Sequence, residues 1–551
     1  MTVFTVAADR PLVLVGPPGA GKSRVAPEVG RRFGRPVVET DERVESKAKR
    51  PIHGIIPELG ESRFRAMEAE ALAEALRAGE GAVVATGGGA VCDPKAWELL
   101  RASGALTALL QAPLDVMAAR VFPVRSTRPH LADARTEEEL LGRLSHLMAE
   151  REPWYGRCDI EIDATGRPEQ VASRVASAAS SALASSVPVR LGERSYVFWL
   201  SDNLGELGER LARRISPVGA ALRCALIADE TVARHHGDAA ESSLRSAGFE
   251  VLKVTFPPGE RSKSLASASE IIDRLLGAGA YRPQRGSVVV ALGGGVTGDL
   301  AGFVASTLFR GCPLVQVPTT LLAMIDASVG GKTAVNHPEG KNLVGAFHQP
   351  VLVQASLDTL KTLDERAYRA GFGEVVKYGL LDPEWRLLDL VERDSDALLA
   401  REPAALRRVI RRCVEMKAAV VEKDPEEREG PRKALNLGHT FGQALEAATG
   451  YERWLHGEAV GLGLIAAARV GAALGLAPKS LEQRVCSVLG RLGLPVDVSL
   501  LMHESVLRLL GVDKKVAGDA VEFVVPVAGG GTKMASLPVF ELQSHLLSSC
   551  R

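Results

Sequence analysis

A chain of 551 residues is too long for one compact domain and points to roughly three or four. Its 67 basic and 67 acidic residues cancel, so the totals give no electrostatic reason to expect a nucleic acid or an anionic membrane surface as partner. The seven cysteines are scattered without a C-x-x-C pair, which speaks against a disulfide framework or a thiolate metal site and for a reducing compartment.

Residues 1–10 lack a basic segment followed by an apolar core, so a secretion signal is not expected. The most apolar long run, 459–477, is interrupted by Arg469 and rich in Gly and Ala, which suits a buried helix better than a membrane span. The expectation is a soluble cytoplasmic enzyme acting on small molecules.

Pro11 to Val15 predicts a short buried strand, and Gly16, Pro17, Pro18, Gly19, Ala20, Gly21, Lys22 and Ser23 follow it directly. This is G-x-x-x-x-G-K-S between a strand and a helix. Backbone N–H groups of the loop would cradle phosphates, Lys22 would neutralise their outer oxygens and Ser23 would hold Mg2+, so ATP is the expected cofactor. A second strand ends in Glu39, Thr40 and Asp41, then come Phe64 and Arg65, and a third strand ends in Gly87, Gly88 and Gly89. In a parallel sheet these strand ends would converge on one pocket. Singly, each has a duller explanation, since an exposed arginine usually pairs with solvent or a nearby acid.

Together these residues resemble shikimate kinase over residues 1 to about 172. The resemblance implies that Asp41 binds the substrate hydroxyls and acts as base, that Arg65 and Arg151 hold its carboxylate, and that Gly87 to Gly89 lie beside its ring. It also implies Arg128 in a lid over the phosphates and Arg120 on the adenine side. Glu39 stands where the family pattern has aspartate. Phosphoryl transfer depends on positioning and charge neutralisation, so Lys22, Mg2+ and Arg128 would carry the rate while Asp41 aligns a hydroxyl.

Residues 173–188 are dense in Ala and Ser and could end the last helix of the first domain or make a tether; either way a boundary, a linker between the halves, is expected there. From Val189 strands and helices alternate again. The stretch around which the second half is organised opens with Gly293, Gly294, Gly295, Val296, Thr297, Gly298 and Asp299 at a strand-to-helix turn, where backbone can approach a diphosphate. The usual acid about 20 residues further on is missing, but Asp229 ends an earlier strand and could face a ribose. Glu260 and Lys263, after the rigid Pro257–Pro258 turn, could also meet the nucleotide. Beyond about residue 356 the pattern becomes long and helical. There Glu374, His439 and His456 suggest a three-ligand metal site, although each histidine could equally be a hydrogen-bonded core residue.

With their flanking residues, these motifs resemble 3-dehydroquinate synthase over about 189 to 530. That resemblance implies NAD, a Zn2+ (or Co2+) ion on Glu374, His439 and His456, and a seven-carbon sugar-acid phosphate as substrate. Thr319, Thr320 and Asp326 would lie on the nucleotide side. Lys332, Lys377, Arg432 and Asn436 would contact substrate, with Lys341 and Asn342 nearby, Lys514 or Lys515 reaching in, and Arg310 serving a phosphate, from a neighbouring subunit if the chain is a homodimer. Bound NAD would take up and return a hydride, so that the C–H next to the phosphate-bearing carbon is acidified long enough for phosphate to leave. Two positions depart from the family pattern: Gln443 replaces a histidine one turn after His439, and Glu429 lies three residues before Arg432 rather than four.

The expected fold class is therefore α/β. A parallel-sheet P-loop kinase domain spans 1–172, a linker 173–188, an NAD-binding α/β lobe 189–355 and a mainly helical metal- and substrate-binding lobe 356–551. The expected function is ATP-dependent phosphorylation of shikimate together with conversion of 3-deoxy-D-arabino-heptulosonate 7-phosphate to 3-dehydroquinate. The alternatives are a kinase fused to a metal-dependent polyol dehydrogenase, or a nucleotide-binding module with impaired catalysis. The lysines argue against a polyol, which offers them no charge.

Overall fold

The computed structural model describes residues 10–77, 81–128, 130–215, 222–279, 283–428, 430–510, 516–517 and 520–547. The chain divides into two compact units, one of residues 7–197 and 207–222, the other of 198–206 and 223–551.

The first unit is built on β1 (Leu12–Val15), α1 (Lys22–Phe33), β2 (Val37–Glu39), α2 (Thr40–Ala48), α3 (Glu61–Arg77), β3 (Val83–Ala85), β4 (Leu106–Gln111), α4 (Leu114–Val121), α5 (Glu137–Tyr155) and β5 (Ile160–Asp163). The strands order as β2-β3-β1-β4-β5 and every pair is parallel. A parallel sheet is covered on both faces, which explains why β1 reads LVLV with all four residues buried. Register sets Leu14 opposite Ala85 and Ala85 opposite Glu39, so Gly16, Thr40–Asp41 and Thr86–Gly87 leave the same edge of the sheet. Thr40 ties two of these ends together, its hydroxyl accepting from the Gly87 N–H at 3.1 Å.

The Ala/Ser-rich stretch is not a tether. Residues up to 184 continue a helix, Pro168–Ala184, and Ser186–Val189 forms a strand. Alanine favours helix, and Val171, Val175, Ala179 and Ala182 form a buried stripe. The unit boundary accordingly falls near residues 197 and 222.

The second unit holds β6 (Tyr196–Ser201), β7 (Leu222–Asp229), β8 (Phe249–Phe256), β9 (Val288–Gly293), α6 (Gly295–Thr307), β10 (Leu314–Pro318), the hairpin β11 (Lys332–His337) and β12 (Gly340–Phe347), and β13 (Leu352–Ser356). Within their sheet these six strands run in the order β6-β13-β10-β9-β7-β8. Four helices follow that matter for the site: α7 (Glu365–Leu381), α8 (Pro403–Lys423), α9 (His439–Ala448) and α10 (His456–Ala473). A three-stranded antiparallel sheet within 516–538, absent from the sequence reading, adds to this helical part. The α/β and helical parts form one unit.

Helix α10 is buried from Gly457 through Gly471, which accounts for the apolar run in the sequence. Among the described residues no helix is long and apolar enough to cross a membrane. Glycines let α7, α9 and α10 approach closely. A Cβ on Gly373 would overlap the Gly457 carbonyl, one on Gly457 the Ala370 carbonyl, and one on Gly463 the Gly438 carbonyl. Each of the metal-ligand candidates Glu374, His439 and His456 directly neighbours one of these close-approach residues.

Candidate active sites

In the first unit the loop Gly16–Ser23 turns from β1 into α1. Gly19 sits at φ 84°, and a side chain there would meet the Met117 carbonyl oxygen at 2.6 Å. Lys22 reaches back to the carbonyls of Gly16 (2.5 Å) and Pro17 (3.1 Å). Burial disfavours its charge and, with Arg128 and Arg151 nearby, outweighs the attraction of Asp41 to bring its pKa down to about 8. Arg120 donates to the Gly19 carbonyl at 3.2 Å. Glu39 hydrogen-bonds Ser23, and burial pushes its carboxyl above the usual range.

Beside the loop lies a cavity of about 320 Å3, whose lining includes Asp41, Arg65, Gly87–Gly89, Arg128 and Arg151. The glycine turn is the common neighbour: positions a Cβ would take at Gly87, Gly88 and Gly89 fall against Asp41, Arg151 and Arg65 respectively. Asp41 is mostly buried, and burial raises its carboxyl pKa despite Lys22 and Arg128. Glu68, which the sequence reading passed over, also lines the cavity and pairs with Arg65 at 2.5 Å. Its only sequence signal is the i,i+3 spacing from Arg65 on α3.

In the second unit the parallel register places Gly293 opposite Pro318 and Leu292 opposite Ala228, so the glycine turn, Thr319–Thr320 and Asp229 share one sheet edge. Thr319 N–H donates to the Gly293 carbonyl at 3.0 Å, Gly294 abuts Thr320, and Gly298 abuts Gln316. Asp229 caps the next turn through Oδ1, while Oδ2 accepts from Thr297 at 3.4 Å. Lys263 bridges Asp299 (2.5 Å) and Asn342, and Glu260 accepts from Asn336 at 2.8 Å.

Glu374, His439 and His456 come together from α7, α9 and α10, each offering a ligand atom within 4.8 Å of the others. His456 Nε2 lies 3.3 Å and His439 Nε2 3.5 Å from Glu374 Oε1. Both Glu374 oxygens are buried without a hydrogen bond, although Lys377 forms an ion pair with Oε2. Burial raises the Glu374 pKa, but Lys377 and His439 outweigh it and bring it to about 2. His439 is driven by burial down to about 4, the neutral form that a metal ligand needs. For His456 burial favours the neutral ring, yet the close Glu374 carboxylate and the hydrogen-bonded Glu446 carboxylate win and push it up to about 10. A buried carboxylate without hydrogen bonds facing two imidazole nitrogens fits a tetrahedral cation with one open position.

A cationic wall adjoins this cluster. Lys377 is fully buried. Asp326 engages Tyr378 Oη (2.6 Å) and Lys417 Nζ (2.8 Å), with Lys377 at 3.8 Å, so its carboxylate is committed to this wall. Arg432 is buried, donates to the Pro425 carbonyl at 2.8 Å and lies close to Gly330. Lys332, half exposed on the hairpin, pairs with Glu427 at 2.5 Å.

Comparison with known proteins follows the same division. Residues 18–180 match the shikimate kinase model, 253–370 the 3-dehydroquinate synthase N-terminal model and 371–516 its C-terminal model. A 3-dehydroquinate synthase of Caulobacter vibrioides is 45% identical over 346 residues, covering 62% of this chain and 91% of that protein. The chain belongs to the 3-dehydroquinate synthase family. Another 3-dehydroquinate synthase, from Symbiobacterium thermophilum, is 46% identical over 345 residues, 62% of this chain and 94% of its own length. The crystal structure of 2-epi-5-epi-valiolone synthase from Streptomyces hygroscopicus, with NAD+ and Zn2+ bound, superposes with a TM-score of 0.55 at 27% identity over 64% of this chain and 96% of that one.

Within the synthase unit, most residues expected from sequence converge on the glycine turn, the hairpin or the metal cluster. Arg310 does not: it follows the C-terminal end of α6, about 20 Å along the helix axis from the glycine turn. Asn436 closes the short turn just before His439, and Gln443 is exposed on α9 one turn after it. Lys514, Lys515 and Glu429 lie outside the described residues. Lys417 and Glu446 were missed. Lys417 stands in a helical stretch with no glycine or motif to mark it, and Glu446 lies seven residues after His439, on the same helix face.

Proposed function

We infer that this chain is a bifunctional shikimate-pathway enzyme. Its first unit phosphorylates shikimate with ATP, and its second converts 3-deoxy-D-arabino-heptulosonate 7-phosphate to 3-dehydroquinate and phosphate. The observation that carries the synthase reading is the meeting of Glu374, His439 and His456 beside a wall of buried cations, which suits a ligand bearing both carboxylate and phosphate.

In the kinase pocket Ser23 would hold Mg2+ and the loop N–H groups the phosphates, while Lys22 would turn from the Gly16 and Pro17 carbonyls toward the transferred group. Asp41 would take the hydroxyl proton. Its raised pKa brings it closer to the operating range of a base. Arg65 and Arg151, both beside the glycine turn, would fix the carboxylate, with Arg65 exchanging Glu68 for substrate.

In the synthase, Glu374, His439 and His456 would hold Zn2+ or Co2+, which supplies Lewis-acid polarisation of a substrate oxygen, while NAD on the Gly293–Asp299 edge supplies a hydride acceptor. Lys377, Lys332, Arg432 and Asn436 would bind and orient the substrate's anionic groups. The Asp326–Lys417–Tyr378 network would keep Lys377 in place and the pocket dry.

The remoteness of Arg310 from its own glycine turn supports a homodimer in which it serves a neighbouring site. The six unpaired cysteines among the described residues support placement in the cytoplasm.

Purified protein should release phosphate from the heptulosonate phosphate without accumulating NADH, and form ADP only when shikimate is present. Net NADH formation with glycerol, without phosphate release, would instead identify a polyol dehydrogenase.

A further inference from the structure

Glu446 is almost fully buried, and it belongs to none of the binding groups assigned above. One oxygen, Oε2, faces His456 Nδ1 at 3.1 Å; the other, Oε1, lies 3.7 Å from Lys341 Nζ. Lys341 is on the hairpin strand β12, 4.1 Å from the centroid of the Tyr451 ring and 4.0 Å from Glu260. Tyr451 is fastened to the end of α9, its N–H donating to the Glu446 carbonyl at 2.8 Å. The two histidines are therefore held differently. Among the described residues His439 Nδ1 meets a neutral backbone carbonyl, that of Leu437 at 3.2 Å, whereas His456 Nδ1 faces a carboxylate shared with a lysine from another element.

An imidazole that gives Nε2 to a metal must carry its proton on Nδ1. An acceptor at Nδ1 selects that tautomer, fixes the ring plane and makes Nε2 a better donor. We propose that Glu446 is a positioning residue of the metal centre, orienting His456 through one oxygen, and that its second oxygen couples this ligand to Lys341 on the hairpin. A ligand that draws Lys341 away would leave Glu446 wholly to His456. Contact at the hairpin is then felt at the metal. The inference rests on the metal-site reading.

The test is Co2+ titration into the metal-stripped full-length protein, followed by the visible d–d bands, with no substrate present. Glu446→Ala should weaken Co2+ binding by about 10–100-fold and shift the bands. Glu446→Gln, which keeps an acceptor oxygen for Nδ1–H, should recover most of the affinity. Lys341→Met should give a smaller change, and its effect should vanish in the Glu446→Ala background, since coupled neighbours are not additive. A Glu446→Ala protein that binds Co2+ within twofold of the parent, a Gln variant as weak as Ala, or additive Lys341 and Glu446 effects would overturn the proposal. His456→Ala separates the two readings: if it too leaves Co2+ binding intact, the metal site itself is misassigned; if it abolishes binding while Glu446→Ala does not, only the role of Glu446 fails.

Discussion

The kinase unit builds its anion cradle from the consecutive residues Gly16 to Ser23, with backbone N–H groups as the working parts. The synthase unit builds its cation site from Glu374, His439 and His456 on three different helices, with side chains as the working parts. A backbone cradle depends on local dihedral angles and on one strand-to-helix turn. A side-chain cluster depends on how closely whole helices can pack. The two sites should therefore fail in different ways when disturbed.

The largest effects should divide cleanly between them. Lys22→Met should lower shikimate phosphorylation by about 10^3-fold while phosphate release from the heptulosonate phosphate is unchanged. His439→Ala should do the reverse by a similar factor. ADP and phosphate assays on one preparation of each variant check this, and a folded variant that loses both activities would break the comparison.

Next come the glycines. Gly457→Ala pushes a methyl group into the Ala370 carbonyl and should cost about 1–3 kcal/mol in thermal unfolding together with a measurable loss of Co2+ affinity. Gly19→Ala forces a left-handed backbone on a residue with a Cβ and should cost a similar amount, about 1–3 kcal/mol. Its effect should appear in ATP binding and leave Co2+ affinity alone.

A smaller effect concerns pH. Because burial raises the Asp41 pKa above its ordinary 3.8, the protonated, inactive form persists to higher pH. Kinase kcat/KM should therefore fall on acidification before an ordinary aspartate would protonate. An acid limb at or below that value would remove Asp41 as base. The smallest effect should come from Glu427→Gln, which frees the half-exposed Lys332. An exposed pair contributes at most about 1 kcal/mol, so the synthase KM should change by less than about fivefold.

The same contrast explains what could be read from the chain alone. The P-loop was legible because its chemistry and spacing lie in adjacent residues, and the strands flanking it are short apolar runs. Glu374, His439 and His456 could be nominated but not joined, since no periodicity tells which of several helices will meet. Lys417 carried no local mark and Glu446 only its spacing from His439, so both became visible when α8 and α9 were folded against their partners. The stretch 173–188 left two readings open, a helix end or a tether, because Ala and Ser suit both; the buried stripe decides for a helix through residue 184. Asp326 was placed on the nucleotide side, whereas its carboxylate is drawn to Lys417 and Tyr378 by charge and hydrogen bonding that a linear reading does not display.

The carbonyl-to-glycine contacts among α7, α9 and α10 leave no room for even one methyl group at Gly373, Gly457 or Gly463. Attempts to retune the metal by enlarging neighbouring residues would therefore split the helices before reshaping the pocket. Redesign of this centre has its freedom at the ligand tips and in the hairpin, while the spine behind them is fixed.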